Sequence, residues 1–568
     1  MDIGIVGSGP AADAIEAAMA DLDARVVETG SDGFGDIGFC FVVGAAGADA
    51  FGAAADSDAL DRWVAVEIGG IGGHAVDEID AAVSVYTPTS GCYRCLQRRV
   101  DATAEASKAK PSAPTSAVRY AGALAGRRAT RILTGEDLGG TVVEVDGPER
   151  RFQPVPFCGC SPGRDRMLSL SDRETDLEEA LSRAEAAVDE RVGIVEQVGE
   201  QASFPLPYYM AANAGTEGFS DASAAPFAAG AAADWNEAYM KALGEALERY
   251  AAGVYRNAEF RHAPATALDN AVSPDRFVTS DSYDPDPAAE RPWVPGLDLE
   301  SEDGVWLPAE AVQYPPPEQR IKPPITTGLG LGSSTVEATI SGLSEVIERD
   351  ATMLSWYSDY EPLGLSIDDE RFTELEKRAA SEDLTVTVTL LTQDIDVPVV
   401  AATVHRAGGE WPRFAAGSGA DLDPVDAATG ALAEAIQNWI ELRDMGPEQA
   451  ADEGGAIAEY ADFPDRVREL THPATTIPAE SVADDADLSG GEALETLVER
   501  VREANLTPYA ARTTTRDVAT LGFEGVRAVI PKAQPLFTAE PFFGDRLDRV
   551  AASMGFEAKP GRAYHPYP

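Results

Sequence analysis

The stretch T-T-G-L-G-L-G-S-S-T-V-E-A-T-I-S-G-L-S-E-V-I-E-R-D, residues 326–350, carries the clearest local pattern in the chain. Its glycines favour a flexible run, and one of the residues 333–335 is the expected N-cap of a helix of about fifteen residues. At about 100° per residue, Glu337, Glu345 and Glu348 fall within an arc of about 80° beside an apolar stripe. The stretch therefore predicts a loop that leads into a helix with three carboxylates on one face.

A second segment, K-A-L-G-E-A-L-E-R-Y at residues 241–250, repeats this pattern one hundred residues earlier. Both segments contain E-x-x-E-R. Carboxylates one helical turn apart repel each other unless a cation lies between them, and Mg²⁺ prefers oxygen ligands that it often shares with phosphates. The residues alone favour a metal and nucleotide site between two helices, with a solvated acidic face as the alternative. The matched residues are Glu245, Glu248 and Arg249 in the first segment and Glu345, Glu348 and Arg349 in the second.

Residues 326–350 also resemble the signature of the YcaO family, in which a Gly-rich strand end leads into E-A-x-x-x-G-L-x-E-x-I-E-R-D. Residues 241–250 resemble that family's first glutamate helix, and residues 419–437 resemble its G-x-x-x-x-P-x-x-A…A-L-x-E-A-x-Q block. Thr515–Asp517 with Gly525–Pro531 resembles its distal strand. The four blocks stand in the family's order, and the resemblance extends over residues 200–568.

The resemblance implies an ATP-dependent peptide cyclodehydratase of bacteriocin biosynthesis. ATP would phosphorylate a backbone amide oxygen attacked by a Cys, Ser or Thr side chain, and loss of phosphate would leave a thiazoline or oxazoline. The implied magnesium ligands, among which Glu345 and Glu348 are also expected to be catalytic, are Glu245, Glu248, Glu345 and Glu348. The implied contacts with metal or nucleotide are Glu337, Arg349 and Arg527, with Arg516 as a further candidate.

The resemblance fails at two positions on the first glutamate helix. Ala231 stands where the family usually has a lysine ahead of this helix, and Lys241 stands where the family usually has a serine within it. We expect Lys241, one turn before Glu245, to supply the displaced cation to the nucleotide. The alternative is a surface ion pair between Lys241 and Glu245.

Composition limits the remaining functions. The chain has 568 residues, too long for one ordinary domain, and 44% of them are apolar. Acidic residues outnumber basic ones 96 to 45 along the whole length, as in proteins of a cytosol with molar salt. No basic stripe is available for nucleic acid, and no segment has the length and apolarity of a membrane span. We therefore expect a halophilic, cytoplasmic protein.

The first residues predict a Rossmann-like strand, turn, helix and strand. Gly7, Gly9 and Ala12 approximate G-x-G-x-x-G/A, and Glu28 stands near the expected ribose-binding acid. A working dinucleotide site would need more regular βα units than this region has before its cysteine motif. We favour a degenerate scaffold whose glycines only make the turn.

Four of the five cysteines form two close pairs, Cys92 with Cys95 and Cys158 with Cys160. In a reducing cytosol, paired thiolates favour a closed, structural Zn²⁺ site over a disulfide or a redox pair. Cys40 lies in an apolar run and is expected to be a buried strand residue.

With a helix expected at 118–133 and a hairpin at 140–146, this region resembles the ThiF-type zinc scaffold that precedes YcaO domains in azoline-forming enzymes. That resemblance implies an α/β Rossmann-like, ThiF-like domain followed by an α+β YcaO domain. Typical members carry a winged-helix peptide clamp ahead of the scaffold, so we expect a precursor peptide and a separate leader-peptide-binding protein as partners, and a homodimer. The expected division is a scaffold at 1–165, a linker at 166–199 with a helix at 175–190 and a strand from 192, and the catalytic domain at 200–568.

The last residues, Tyr564-His-Pro-Tyr-Pro568, favour an extended tail. They resemble the P-x-P-x-P terminus of azoline-forming YcaO proteins, and that resemblance implies that Pro568 acts as a general base through its carboxylate. His565 is the alternative base, and a frayed terminus is the alternative structure.

Three rival functions remain. The same fold could install a backbone thioamide from external sulfide, or the chain could be a non-catalytic accessory factor for another modification enzyme. A flavin enzyme is the third.

Overall fold

The chain begins with the strand, turn, helix and strand that its first residues predict. In this computed structural model, β1 (Asp2–Val6) and β2 (Arg25–Glu28) pair in parallel on either side of α1 (Pro10–Met19). Gly7 and Gly9 have φ of 108° and 95°, values that side chains disfavour, so the turn requires glycine. The structure describes residues 2–567 apart from 21, 23, 31–32, 35–36, 104–109, 161–163, 454–455, 483–486 and 539.

Seven strands of this region form one sheet in the order β2-β1-β3-β4-β7-β8-β9. The first four are parallel and the last three are antiparallel to their neighbours. The helix expected at 118–133 and the hairpin expected at 140–146 are both present. The remaining elements are β3 (Cys40–Ala45), α2 (Asp49–Ala55), β4 (Trp63–Ile68), β5 (Gly70–Ile71), β6 (His74–Ala75), β7 (Ala81–Tyr86), α3 (Tyr93–Thr103), α4 (Thr115–Leu133), β8 (Thr141–Glu144) and β9 (Glu149–Arg151).

Cys40 lies inside β3 as expected, and burial raises the pKa of its thiol to about 12. Helix α4 packs closely on α1, because a Cβ at Gly122 would come within 2.2 Å of the Ala11 carbonyl oxygen. The identity of this region as a ThiF-like domain, and the division of the chain at 165 and 199, stay predictions.

The connection to the second half differs from the expectation at its ends. The helix expected at 175–190 is shorter, α5 (Leu177–Glu185), and Asp176 caps it by accepting from the Glu179 N–H. The strand expected from 192 begins later, as β10 (Val195–Ala202). The reason is a turn at Asp189, whose carboxylate accepts the N–H groups of Arg191 and Val192.

Three further sheets make up the second half, in the orders β10-β11-β12, β13-β14-β22-β23-β16 with β15 beside β14, and β20-β19-β18-β17-β21. A non-helical Gly446 kinks α10. The elements are β11 (Tyr208–Asn213), β12 (Phe227–Ala231), α6 (Trp235–Gly253), β13 (Arg261–Ala263), β14 (Arg291–Asp298), β15 (Gly304–Pro308), α7 (Ala309–Val312), β16 (Leu329–Gly332), α8 (Thr335–Trp356), β17 (Leu363–Ser366), α9 (Glu370–Ser381), β18 (Thr385–Leu390), β19 (Val399–His405), β20 (Phe414–Ala420), α10 (Pro424–Glu453), α11 (Ala456–Tyr460), α12 (Asp465–Arg468), β21 (Thr476–Pro478), α13 (Gly490–Glu503), β22 (Tyr509–Arg512), α14 (Arg516–Thr520), β23 (Glu524–Val529) and α15 (Arg546–Met554).

The segment Thr515–Asp517 is not part of the expected distal strand. It begins the short helix α14, which turns the Asp517 carboxylate into the interior towards Arg99, and the strand itself is β23. None of the described helices is both long and apolar enough to cross a membrane.

The two glutamate helices belong to different hydrophobic cores. Helix α8 runs through the largest core of the second half, whereas α6 shares a core with β3, β4, β7 and α3 of the first half. The cleft between α6 and α8 is therefore bounded on one side by a helix that packs against the first half.

Candidate functional site

Three strands, each followed by a long helix, build the site: β12 with α6, β16 with α8 and β20 with α10. A residue just before each helix accepts an N–H group of the first turn with its side chain, as expected for an N-cap. Asp234 accepts from Glu237 N, Ser334 from Glu337 N and Asp423 from Val425 N. Helix α8 has 22 residues, longer than the expected fifteen.

Glycines bring each strand into direct contact with the backbone of its helix. A Cβ at Gly230 would lie 2.2 Å from Ala242 N, and one at Gly330 would lie 2.1 Å from Ala338 O. The third strand has the same feature, because a Cβ at Gly417 would lie 2.5 Å from Ala431 O. The strand-to-helix spacing of all three units is thus set by main-chain contact.

One glutamate of each helix accepts a backbone N–H from the strand of its own unit or the residue just before it. Oε2 of Glu245 accepts from Ala229 N at 3.0 Å, and Oε2 of Glu345 accepts from Gly328 N at 2.9 Å. Oε2 of Glu434 accepts from Ser418 N at 2.6 Å. The other oxygen of Glu245, Oε1, accepts from Arg249, and each of the three carboxylates keeps lone pairs for a further ligand.

One turn later each helix carries a second polar side chain, Glu248, Glu348 or Gln437. Oε1 of Glu348 accepts from the Ser418 hydroxyl at 2.7 Å, which ties α8 to β20. Gln437 donates to Glu441 at 2.9 Å. Helix α10 therefore adds a third segment, E-x-x-Q, to the two E-x-x-E-R segments.

The arginines of the two motifs lie among these carboxylates. Nη2 of Arg249 donates to Glu245 at 2.8 Å. Arg349 reaches further, with Nε 3.5 Å from Glu348 and Nη2 3.8 Å from Glu434 on the neighbouring helix. The pKa of Arg349 is raised because three carboxylates offset the cost of its burial.

Several of the carboxylates resist ionisation. Burial raises the pKa of Glu248 to about 8, and the nearby Glu345 and Glu245 add to the shift. Burial likewise raises the pKa of Glu434 to about 7 and also raises that of Glu348. Hard divalent cations stabilise clustered carboxylates of this kind in their ionised form, so the donor set fits Mg²⁺.

A cleft of about 660 Å³ opens between the units. That volume is in the range of small-molecule sites. Carboxylates, a lysine and backbone line it, and the residues used below are Lys241, Glu245, Glu248, Glu337, Glu434 and Gln437.

Lys241 lines this cleft, as expected of a nucleotide ligand. Its Nζ donates to the Ala231 carbonyl at 3.5 Å, at the residue that replaces the family's lysine. Desolvation by the surrounding protein lowers the pKa of Lys241, while Glu237 and Glu434 oppose the shift. An ion pair between Lys241 and Glu245 is absent among the described contacts, so the surface-pair alternative does not describe the structure.

The two remaining arginine candidates have different surroundings. The charges of Glu345 and Glu248 act on Arg527, whose terminal nitrogens donate to the carbonyls of Ile325 and Thr326 at 2.8 Å each. Arg516 lies elsewhere, with Nη1 3.5 Å from the Cys160 sulfur. Arg527 stays a predicted nucleotide contact, whereas Arg516 belongs to the cysteine cluster.

The C-terminal residues 563–567 pack into the protein instead of fraying. Trp356 Nε1 donates to the Ala563 carbonyl at 2.8 Å, and the buried Tyr567 ring lies 6.5 Å from the Trp356 ring. His565 is buried, donates from Nε2 to Phe537 O at 2.8 Å and has a pKa lowered to about 4, chiefly by burial, with a contribution from the Arg349 charge. The tail therefore approaches the arginine of α8, while Pro568 lies outside the described residues.

The four predicted zinc ligands come together at the start of α3. Their sulfur atoms all lie within 4.8 Å of one another, with Cys92 3.5 Å from Cys158 and Cys95 3.7 Å from Cys160. A tetrahedron with Zn–S bonds of about 2.3 Å has sulfurs about 3.8 Å apart. The residues fit a closed four-thiolate Zn²⁺ site.

Each glutamate helix is anchored by the residue that follows its motif. The Tyr250 hydroxyl donates to the buried Asp517 at 2.6 Å, and Arg99 of α3 pairs with the same carboxylate at 2.5 Å. On α8, Asp350 pairs with the buried Arg546 at 2.5 Å. Through Arg99, the helix that carries Cys95 is connected to the helix that carries Glu245.

Of the residues predicted to share one site, Lys241, Glu245, Glu248 and Glu337 line the cleft. Glu345, Glu348 and Arg349 are not among its lining residues, although Glu345 acts on the charge of Glu248 and Arg349 lies 3.8 Å from Glu434. The block that contains Glu434 and Gln437 was part of the resemblance, but no role was predicted for either residue. The signal was present, since A-L-A-E-A-I-Q follows a Gly-rich strand at nearly the spacing of the other two motifs. Their roles as magnesium or nucleotide ligands stay predictions.

The chain is similar to known proteins over the part that contains these helices. Residues 229–534 match the family model described as YcaO cyclodehydratase, ATP- and Mg²⁺-binding. An uncharacterized protein of Methanothermobacter thermautotrophicus is 28% identical over 327 residues, 55% of this chain and 82% of that protein. An uncharacterized protein in the tfuA 3′ region of Rhizobium leguminosarum bv. trifolii is 31% identical over 174 residues, 28% of this chain and 41% of that protein.

Two solved structures are similar in fold. A heterocyclase in complex with substrate and cofactor has a TM-score of 0.72 at 19% identity, covering 98% of this chain and 83% of that one. The YcaO protein of Methanopyrus kandleri bound with AMPPCP and Mg²⁺ has a TM-score of 0.51 at 26% identity, covering 63% of this chain and 91% of that one. Because the match to the family model spans more than half of this chain, the chain belongs to the YcaO family.

Proposed function

We propose that this protein is an ATP-dependent peptide cyclodehydratase that converts Cys, Ser or Thr residues of a ribosomally made peptide into thiazolines or oxazolines. The observation that carries the proposal is the convergence of three glutamate-bearing helices on one cleft, with a packed C-terminal tail whose His565 is close enough to Arg349 to be affected by its charge. The membership in an ATP- and Mg²⁺-binding family supports the same reading.

The magnesium ligands in this proposal are Glu245, Glu248, Glu345 and Glu348, to which the geometry adds Glu434. Bound Mg²⁺ would offset the charge of the ATP phosphates and polarise them for transfer. Lys241 and Glu337 face the same cleft and would hold the nucleotide in position. The backbone bonds to Glu245, Glu345 and Glu434 fix one oxygen of each carboxylate before any ligand binds.

The chemistry follows from the poor reactivity of an amide. A thiol or hydroxyl of the substrate adds to the preceding carbonyl carbon and loses its proton, and the resulting oxyanion takes the γ-phosphoryl group of ATP, releasing ADP. The amide nitrogen then loses its proton, a C=N bond forms, and the C–O bond breaks to release phosphate. Positioning and charge supply most of the catalysis in such transfers.

Proton removal is the step assigned to the tail. The terminal carboxylate of Pro568 is the proposed base, with His565 as the alternative. The lowered pKa of His565, about 4, keeps its imidazole neutral at physiological pH, which is compatible with that alternative.

The first half of the chain is proposed to be a ThiF-like scaffold with a structural Zn²⁺ at Cys92, Cys95, Cys158 and Cys160. A separate protein is proposed to bind the leader of the precursor peptide, and the active form is proposed to be a homodimer. Growth in a halophilic cytosol fits the excess of acidic residues.

The test is turnover with a Cys-rich peptide taken from an open reading frame beside the gene. Mass spectrometry should show the loss of one water per heterocycle, with one ATP consumed for each. Replacement of oxygen by sulfur in the presence of sulfide would favour thioamide formation instead. ATP turnover that appears only with another modification enzyme would favour the accessory role, and a bound yellow chromophore would favour a flavin enzyme.

The zinc proposal has its own test in metal content. Cys95→Ser should lose zinc and thermal stability, whereas Cys40→Ser, at the one cysteine outside the cluster, should keep the metal. A full zinc complement in Cys95→Ser would contradict the assignment.

A further inference from the structure

A second large pocket lies at the C-terminal end of α8. Its volume is about 530 Å³, and its walls come from α8 and the segment after it, from α12 and the segment after it, and from the C-terminal tail. We call it the aromatic pocket, because aromatic and other apolar residues make up much of its lining. These residues are Trp356, Tyr360, Pro362, Leu470, Pro473 and Tyr567.

The aromatic pocket and the cleft between the glutamate helices lie along the same helix. Glu337 near the start of α8 lines the cleft, whereas Trp356 at its end lines the aromatic pocket. Glu345 and Glu348 come between them in the helix. At about 1.5 Å of rise per residue, Trp356 lies about 12 Å beyond Glu348 along the helix axis. A ligand in the pocket is therefore a short distance from the proposed metal ligands.

The C-terminal tail forms one wall of the aromatic pocket and is bonded there to the end of α8. Nη1 of Arg562 donates to the Trp356 carbonyl at 3.0 Å, and the guanidinium lies 4.2 Å from the centre of the Trp356 ring. Tyr567 is buried, with its ring 6.5 Å from the same indole. Because residue 567 precedes the proposed base, a ligand in the pocket lies beside the tail that is assigned to proton removal.

The ionisable residues of the pocket are nearly balanced in charge, although the formal net charge of the chain is −51. Arg468, Arg562 and His472 stand against Glu361 and Glu469 in its lining. Nη2 of Arg562 already lies 3.8 Å from Glu469. Recognition would therefore depend on the apolar walls, and apolar contact is not screened by salt as ionic attraction is.

The size and the walls of the pocket indicate what it binds. A volume of about 530 Å³ is in the range of sites that enclose a ligand. Aromatic rings and prolines form the kind of surface that takes up apolar side chains of an extended peptide. Since an extended chain spans about 3.3 Å per residue, about three or four residues would cover the distance from the pocket to Glu348.

We infer that the aromatic pocket binds the precursor peptide through a large apolar side chain, about three or four residues away from the Cys, Ser or Thr that is cyclised. The inference rests on the proposed function, because the distance is counted from a carboxylate that would hold the metal. The pocket then helps to determine which residue of the peptide is modified.

The first measurement uses the full chain and a set of peptides derived from the Cys-rich peptide, each with one cysteine. A single Phe is moved through the four positions on either side of this cysteine, in a background of Gly and Ala. On one side, kcat/KM for the loss of water should rise about tenfold or more when Phe is three or four residues away, because the pocket then encloses the ring. A profile without this maximum would overturn the inference.

A variant that fills the pocket tests whether this preference arises there. Ala474 lies on the exposed rim, so Ala474→Trp adds bulk to the pocket without replacing a core residue. This variant should lose the preference for Phe. Ala288→Trp makes the same change at an exposed position outside the lining and should keep it. An undiminished preference in Ala474→Trp would contradict the inference.

Binding without turnover separates this inference from the proposed function. Fluorescently labelled peptides of the same set, with alanine in place of the cysteine, are titrated by anisotropy in the absence of ATP. Phe should strengthen binding about tenfold in the native protein and in Ala288→Trp, but not in Ala474→Trp. If this is found but no heterocycle forms, the peptide site stands and the proposed function fails. If heterocycles form without any preference for Phe, the proposed function stands and the inference fails.

Discussion

Helices α6 and α8 carry the same E-x-x-E-R motif, whose two glutamates and arginine in α6 match residues one hundred positions later in α8. Both have a close-packed glycine in the preceding strand, a glutamate bonded to a backbone N–H, and an arginine beside it. Their surroundings differ. Glu348 is buried and bonded to Ser418, whereas Glu248 is partly exposed to the cleft. The shared strand and helix set the positions of the carboxylates. The surroundings of each carboxylate set the free-energy cost of ionising it.

The anchors show the same contrast. Tyr250 is a neutral partner in a buried group whose only ion pair is that of Arg99 and Asp517 among the described residues. Asp350 is itself charged, and its partner Arg546 has a second acid, Asp394, at 2.7 Å. The α8 anchor has redundancy that the α6 anchor lacks.

The largest expected effect is at Glu348. Glu348→Gln should lower ATP-dependent heterocycle formation by about 10³-fold, because it removes a charged oxygen from the proposed metal cluster. Single-turnover rates with saturating ATP and Mg²⁺ measure this.

The control is Glu376→Gln, the same change at an exposed position of α9, which should keep the native rate. Turnover in Glu348→Gln within about tenfold of native would show that Glu348 is not an essential metal ligand.

The next comparison is between the two anchors. Asp517→Asn should cost about 3–5 kcal/mol, because Arg99 is left buried without a counter-charge. Asp350→Asn should cost about 1–3 kcal/mol, because Arg546 keeps Asp394. Thermal unfolding midpoints of the two variants measure the order, and a larger loss for Asp350→Asn would contradict the redundancy of the α8 anchor.

A third test uses the free-energy cost of ionising Glu248 on α6. The unfolded chain ionises Glu248 near its ordinary pKa of 4.5, and the folded protein only near 8, so stability is lost as pH rises between these values. In magnesium-free protein, Glu248→Gln should therefore add about 1–3 kcal/mol of stability above about pH 8 and little near pH 5.

The same variant should lose ATP turnover, which would place stability and activity in opposition at this residue. A Glu248→Gln protein that is less stable than native at high pH would show that the ionised carboxylate is already compensated in the metal-free state.

The smallest expected effect is at Lys241. The corresponding residue of α8 is Ser341. Lys241→Ala should raise KM for ATP about three- to tenfold with kcat little changed, because it removes uniform binding to the nucleotide. Lys377→Ala is the control for charge, and an unchanged KM in Lys241→Ala would mean that the cleft lysine contacts no phosphate.

Local patterns predicted the parts of the site that repeat. Caps, apolar stripes and E-x-x-E-R placed α6 and α8 and four of their carboxylates from sequence. The partner of Tyr250 could not be found this way, because Arg99 and Asp517 are far apart in the chain and each is an ordinary charged residue on its own.

The close-packed glycines have a consequence for how the site tolerates change. Because Gly230, Gly330 and Gly417 place each helix directly against main-chain atoms of its strand, the spacing of the carboxylates depends on these three close contacts. Substitutions in the cores behind them are therefore expected to move the carboxylates less than a substitution at one of these glycines. A methyl group at any one of the three glycines would shift a whole helix and with it one corner of the carboxylate cluster.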